Sequence, residues 1–64
     1  MKYYYEIHVI GKNGFSTSIV SDRELDENEI IKQAVKEDKI DRDDVHYVDY
    51  TNELDEEEWN TYFK

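Results

Sequence analysis

The 64 residues contain no cysteine and no proline, only two glycines, and no apolar run near the roughly 18 residues of a membrane span. Without cysteine there is neither a disulfide framework nor a thiolate metal site to hold a small core together. Without proline or a polar linker, nothing divides the chain, and 1–64 reads as a single small acidic α+β domain. A chain this short hides only about 60% of its unfolded surface, which leaves no room for a deep active-site cavity. Basic side chains are also scarce, 8 against 17 acidic ones, for a formal charge of −9. That charge repels nucleic-acid phosphates and anionic membrane surfaces, so direct nucleic-acid binding and membrane binding are not expected. The first residues lack the apolar core of a signal peptide, and the expectation is a cytoplasmic protein.

Charge at this density is often a mark of disorder. Here, however, 14% of residues are aromatic and the apolar ones are periodic, which predicts a fold. One short motif occurs twice, as Glu24-Leu25-Asp26-Glu27-Asn28-Glu29-Ile30 and as Glu53-Leu54-Asp55-Glu56-Glu57-Glu58-Trp59. In each copy Asp stands at an N-cap, Glu follows three residues later as in a capping box, and the preceding Leu faces an apolar residue at the fourth helical position. Both copies read as helix starts, with first-turn carboxylates that suit the positive end of the helix dipole.

Around these starts, Tyr3, Tyr5, Ile7 and Val9 alternate with Tyr4, Glu6 and His8 in a half-buried strand. A turn at Gly11-Lys12-Asn13-Gly14 leads to a second alternating run, Phe15 to Val20. A three-residue Lys12-Asn13-Gly14 loop puts Phe15, Thr17 and Ile19 on the face of Tyr5, Ile7 and Val9, gathering more apolar surface than a two-residue turn would. Ile30, Ile31, Ala34 and Val35 form the stripe of a first helix that fades near Asp38 or Lys39, and Ile40 folds back onto the core. Asp41-Arg42-Asp43-Asp44 reads as a polar connection and Val45 to Thr51 as a third strand, with His46, Val48 and Tyr50 inward and Asp49 in water. A terminal helix returns Trp59, Tyr62 and Phe63 to the sheet. The order is ββαβα, a three-stranded antiparallel sheet of order 2-1-3 with two helices on one face.

The strand Tyr5-Glu6-Ile7-x-Val9, a helix after an acidic cap, and the closing Tyr47-Val48-Asp49-Tyr50-Thr51-Asn52-Glu53-Leu54-Asp55-Glu56-Glu57-Glu58 resemble short DpnD/PcfM-like proteins of phages and mobile elements. The resemblance implies a mobile-element origin and a fold, and brings no activity, cofactor or catalytic residue with it. The short Asn-Gly hairpin and the repeated Leu-Asp-Glu depart from that pattern.

Catalytic chemistry finds no support: there is no cysteine nucleophile, no glycine-rich phosphate loop, and no motif around Ser16, Ser18 or Ser21. His8 and His46 on paired strands, with Asp44 or Glu6 nearby, would be a zinc site only in an unusual arrangement. Asp38, Asp41, Asp43 and Asp44 lack the ligand alternation and glycine of a calcium loop. No cofactor, no metal and no enzymatic activity are expected.

Two binding readings remain. Glu27, Glu29, Glu56, Glu57 and Glu58 at the helix starts, with Asp41, Asp43 and Asp44 in the connection, present a surface able to imitate nucleic-acid phosphates toward a protein partner with a basic groove. The same acids also cap helices and keep a small protein soluble without any partner. Alternatively, Tyr4 and whichever of Tyr47 or Tyr50 faces outward form an aromatic patch beside His8 on an uncovered sheet face, with Tyr47 preferred, or the second strand pairs through its edge, as in a self-associating module or homodimer.

Overall fold

The computed structural model describes residues 1–11 and 14–64. In chain order the elements are β1 (Tyr3–Val9), β2 (Phe15–Ser21), α1 (Glu27–Lys36), a 3₁₀ helix (Arg42–Tyr47), β3 (Val48–Leu54) and α2 (Glu56–Phe63). The three strands form an antiparallel sheet of order β2-β1-β3, as the sequence predicts. The most apolar strand is therefore central, its backbone paired on both sides.

Pleating puts Tyr5, Ile7 and Val9 on one face of β1, and all three are buried. The β1–β2 register sets Tyr5 opposite Ile19, Ile7 opposite Thr17 and Val9 opposite Phe15, which is the expected face assignment. The ladder closes at Val9–Phe15, so residues 10–14 connect the strands and the expected three-residue Lys12-Asn13-Gly14 loop, which would set Gly11 opposite Phe15, is corrected by a two-residue shift that preserves the faces; Lys12 and Asn13 lie outside the described residues. Ile30 and Ala34 of α1, together with Ile40, complete the core cluster on this face, and Leu25, Ile31, Val35, Val45 and Val48 pack around it. The buried Tyr5 hydroxyl accepts a hydrogen bond from the Leu25 backbone N–H at 2.9 Å, fixing the chain that enters α1 to the sheet.

The C-terminus of α1 closes with Asp38 N–H on the Val35 carbonyl at 3.1 Å and Lys39 N–H on the Ala34 carbonyl at 2.8 Å. This is a Schellman arrangement, and Asp38 holds its left-handed position at φ 59° where glycine is usual. The reversal delivers Ile40 to the core, where it is buried.

Three expectations are corrected beyond this point. Residues 42–47 are not the start of a strand: Asp44 N–H bonds to the Asp41 carbonyl at 2.9 Å and winds the chain into a 3₁₀ helix, which turns Val45 toward the core and leaves His46 exposed. The third strand begins only at Val48, opposite Val9, and its next paired residue is Tyr50, opposite His8. Asp49 is thus a bulge, and one extra residue exchanges the faces of everything after it. Tyr50 lies on the outer face rather than inward, and Leu54 pairs with Tyr4 on that same outer side.

The third correction follows from the second. Leu54 directly precedes the Asp55 cap, so α2 starts on the face to which Leu54 is committed. Trp59 packs against Tyr4 with ring centroids 5.1 Å apart and planes tilted by 37°, and donates from Nε1 to Ser18 Oγ at 3.0 Å. Tyr4 and Ser18 both belong to the face opposite the core. The helices therefore lie on opposite faces of the sheet, α1 over the core and α2 over part of the outer face. Within α2, Trp59 and Phe63 are half-buried, whereas Tyr62 is 71% exposed and does not return to the sheet.

Candidate functional site

Both predicted capping boxes are present. Asp26 Oδ1 accepts from Glu29 N–H at 2.8 Å while Glu29 Oε1 accepts from Asp26 N–H at 3.2 Å. Asp55 Oδ1 accepts from Glu58 N–H at 2.7 Å while Glu58 Oε1 accepts from Asp55 N–H at 3.2 Å. Each box satisfies amides that an isolated helix start would leave open, and each places carboxylates in the first turn.

The topology brings the two starts to one end of the sheet. Leu25, just before α1, is bonded to Tyr5, and Leu54, just before α2, is paired with Tyr4. Adjacent residues of β1 thus anchor the two helix starts on opposite faces. Glu27 and Glu29 lie on the core side of this end; Glu56, Glu57 and Glu58 lie on the outer side. Asp22, Glu24 and Glu53, which sequence reasoning did not single out, are exposed and add to the same end through the β2–α1 loop and the end of β3. Their signal was topological: an antiparallel 2-1-3 sheet ends β2 and β3 beside the start of β1.

Not all of these carboxylates are free. Glu29 and Glu58 are engaged in their capping boxes, and Glu29 also accepts from Arg23 Nη2 at 2.7 Å. The Arg23 hydrogen bond, followed by the Asp26 backbone N–H, holds the Glu29 carboxyl below the usual carboxylate range. Glu27, Glu56 and Glu57 are exposed and take no part in the caps. Asp41, Asp43 and Asp44 do not join them. Their 3₁₀ helix leads into Val48 opposite Val9, at the other end of β1, roughly 20 Å away at 3.3 Å per residue. The single acidic surface expected from the sequence is therefore divided between two ends of the sheet.

The aromatic candidates are also separated. Tyr4 lies under Trp59 and is half-buried, so it offers no open patch. Tyr47 is 53% exposed at the opposite end, where its carbonyl accepts from Ile10 N–H at 2.8 Å. At the same end of the sheet, on the outer face, His8 stacks on Tyr50 with centroids 4.9 Å apart, and His8 Nδ1 lies 3.3 Å from Asp49 Oδ2. The bulge at Asp49 turns Tyr50 outward beside His8, the alternative to the preferred inward placement of Tyr50. Ser16 is the β2 partner of His8, yet no hydrogen bond joins the two. Among the described residues no three His, Asp or Glu side chains are grouped to hold a metal ion, and no helix is long and apolar enough to cross a membrane.

Compared with family models, curated proteins and solved structures, the chain matches none.

Proposed function

We propose that this chain is a small non-enzymatic binding protein of the phage or mobile-element type, which engages a basic protein partner through the acidic end of its sheet. The convergence of two acid-rich helix starts on opposite faces of one sheet end carries this reading. Carboxylates on both sides of a thin edge suit insertion between the walls of a basic groove, with counterion release driving association as it does for nucleic acid. A DNA- or RNA-handling enzyme has such a groove, and occupying it would inhibit that enzyme. The compartment that supplies these partners is the cytoplasm. The exposed Tyr47 and the His8–Tyr50 stack support the alternative, an interaction module of the aromatic kind, at the other end of the sheet.

The test spares the capping residues. Glutamine keeps helix propensity while removing charge, so E27Q/E56Q/E57Q tests the acidic end without dismantling either helix start. Tagged chain is incubated with bacterial lysate and washed at rising salt, in parallel with the triple variant. The expected result is a nucleic-acid enzyme that salt releases, that the variant fails to retain, and that loses its nucleic-acid binding when the wild-type chain is added. A partner held equally by both proteins at high salt would overturn the electrostatic reading in favour of the aromatic one.

A further inference from the structure

The two edges of this sheet are built differently. β3 carries Asp49 and Glu53 and is interrupted by a bulge, devices that discourage pairing with another strand. β2, Phe15-Ser16-Thr17-Ser18-Ile19-Val20-Ser21, has none of them: it has no charge, no proline and an unbroken register with β1 from end to end. In a chain in which 39% of residues are charged, a seven-residue uncharged strand with one edge unpaired is the place where another backbone meets least electrostatic resistance. Its half-exposed Phe15 and Val20 supply apolar surface on each face, at 38% and 36% exposure.

We propose that β2 pairs with β2 of a second copy of this chain, antiparallel about a two-fold axis at Ser18, to give a continuous six-stranded sheet. The strand's self-complementary register about Ser18 selects a second copy, and charge selects the direction. Ser21 lies at the acidic end and Phe15 at the other. Parallel pairing would set the Asp22 and Glu24 that follow β2 beside those of the partner, whereas antiparallel pairing sets them beside the partner's Phe15 end, where Asp41, Asp43 and Asp44 lie across the sheet on the β3 side. In this register Phe15 faces Ser21 of the other copy and Ser16 faces its Val20, so both half-exposed apolar side chains gain cross-strand neighbours. Trp59 reaches Ser18 through the serine hydroxyl on the outer face and not through the β2 backbone. One pair of seven-residue strands makes a small interface, so the association is concentration-dependent. Both acidic ends stay exposed, and the inference does not depend on the function proposed for them.

Sedimentation equilibrium from micromolar to millimolar concentration tests the proposal. The wild-type chain is expected to approach twice its 7.8 kDa mass as concentration rises. In S16K/V20K, lysines of the two copies face one another, and the dissociation constant is expected to rise about tenfold or more. In S16E/V20K the same positions carry opposite charges across the axis, so dimerisation returns at low salt. Circular dichroism checks that each variant folds. In wild-type protein, hydrogen exchange of the β2 amides should slow with concentration while that of the β3 edge does not. A chain that stays at 7.8 kDa throughout, or a dimer that S16K/V20K leaves intact, overturns the proposal.

Discussion

The two helices begin with the same device and receive different support. At α1 the Leu25-Asp26 start leads to Ile30 and Ala34, both buried, and the helix closes with a Schellman turn that sends Ile40 into the core. At α2 the Leu54-Asp55 start leads to eight residues of which none is fully buried, held by Trp59 on Tyr4 and Ser18. Isolated helices below about 12 residues are marginal in water even with good caps. The capping box therefore sets where each helix begins, and burial decides how firmly it stays. Since α1 covers the core face and α2 part of the outer face, the sheet has one strongly held side and one lightly held side.

Replacing the fourth helical residue of each copy tests this contrast most severely. I30A removes a side chain that is 4% exposed and should cost about 3 kcal/mol, enough to leave a domain of this size largely unfolded. W59A removes one ring contact and one hydrogen bond at a half-exposed position and should cost about 1–2 kcal/mol. Urea unfolding followed by circular dichroism measures both, since W59A removes the only tryptophan. Equal losses would show that α2 is as integral to the fold as α1.

The caps give a subtler comparison. D26A and D55A each delete a side-chain acceptor worth about 1 kcal/mol to its helix. For D26A the loss should appear in the global unfolding midpoint, because α1 completes the core. For D55A it should appear mainly as faster amide exchange within α2, with the midpoint little changed. A D55A midpoint shift as large as that of D26A would contradict this division into firmly and lightly held sides.

Why this asymmetry was not legible in the sequence comes down to one residue. The capping boxes rest on Asp and Glu at cap spacing, the buried stripe of α1 and the face shared by Tyr5, Ile7, Val9 and Ile19 on local periodicity, and the strand order on the handedness of the crossover, and all were readable. The bulge at Asp49 was not, because a strand with one extra residue keeps the composition of a regular strand. Strict alternation carries Val48 inward through Tyr50 to Leu54 and so puts α2 on the core face; skipping Asp49 sends Tyr50, Leu54 and Trp59 outward. Val45, His46 and Tyr47 misled differently: their β propensity was overridden by the turn that begins at Asp41. The acidic residues were individually visible as caps. Their division between two ends follows from β3 running antiparallel to β1, which separates Asp41, Asp43 and Asp44 from Glu56, Glu57 and Glu58 by the length of the strand.

The smallest difference between the two starts is electrostatic. Glu29 has Arg23 as a partner at 2.7 Å, and among the described residues Glu58 has no corresponding cation. The Glu29 carboxyl is held below its ordinary value, first by the Arg23 hydrogen bond and then by the Asp26 backbone N–H. A carboxyl depressed in the folded state stabilises the fold fully above its unfolded value, and that contribution drains away as pH falls through the lower folded value. Arg23 is largely in water and Glu29 partly so, and the effect is therefore small and weakened further by salt. Carbon-detected NMR titration should show Glu29 losing its proton below the range of an ordinary glutamate, with R23Q moving it upward. If R23Q left the titration unchanged, the depression would belong to the capping box alone, and the two helix starts would be electrostatically equivalent.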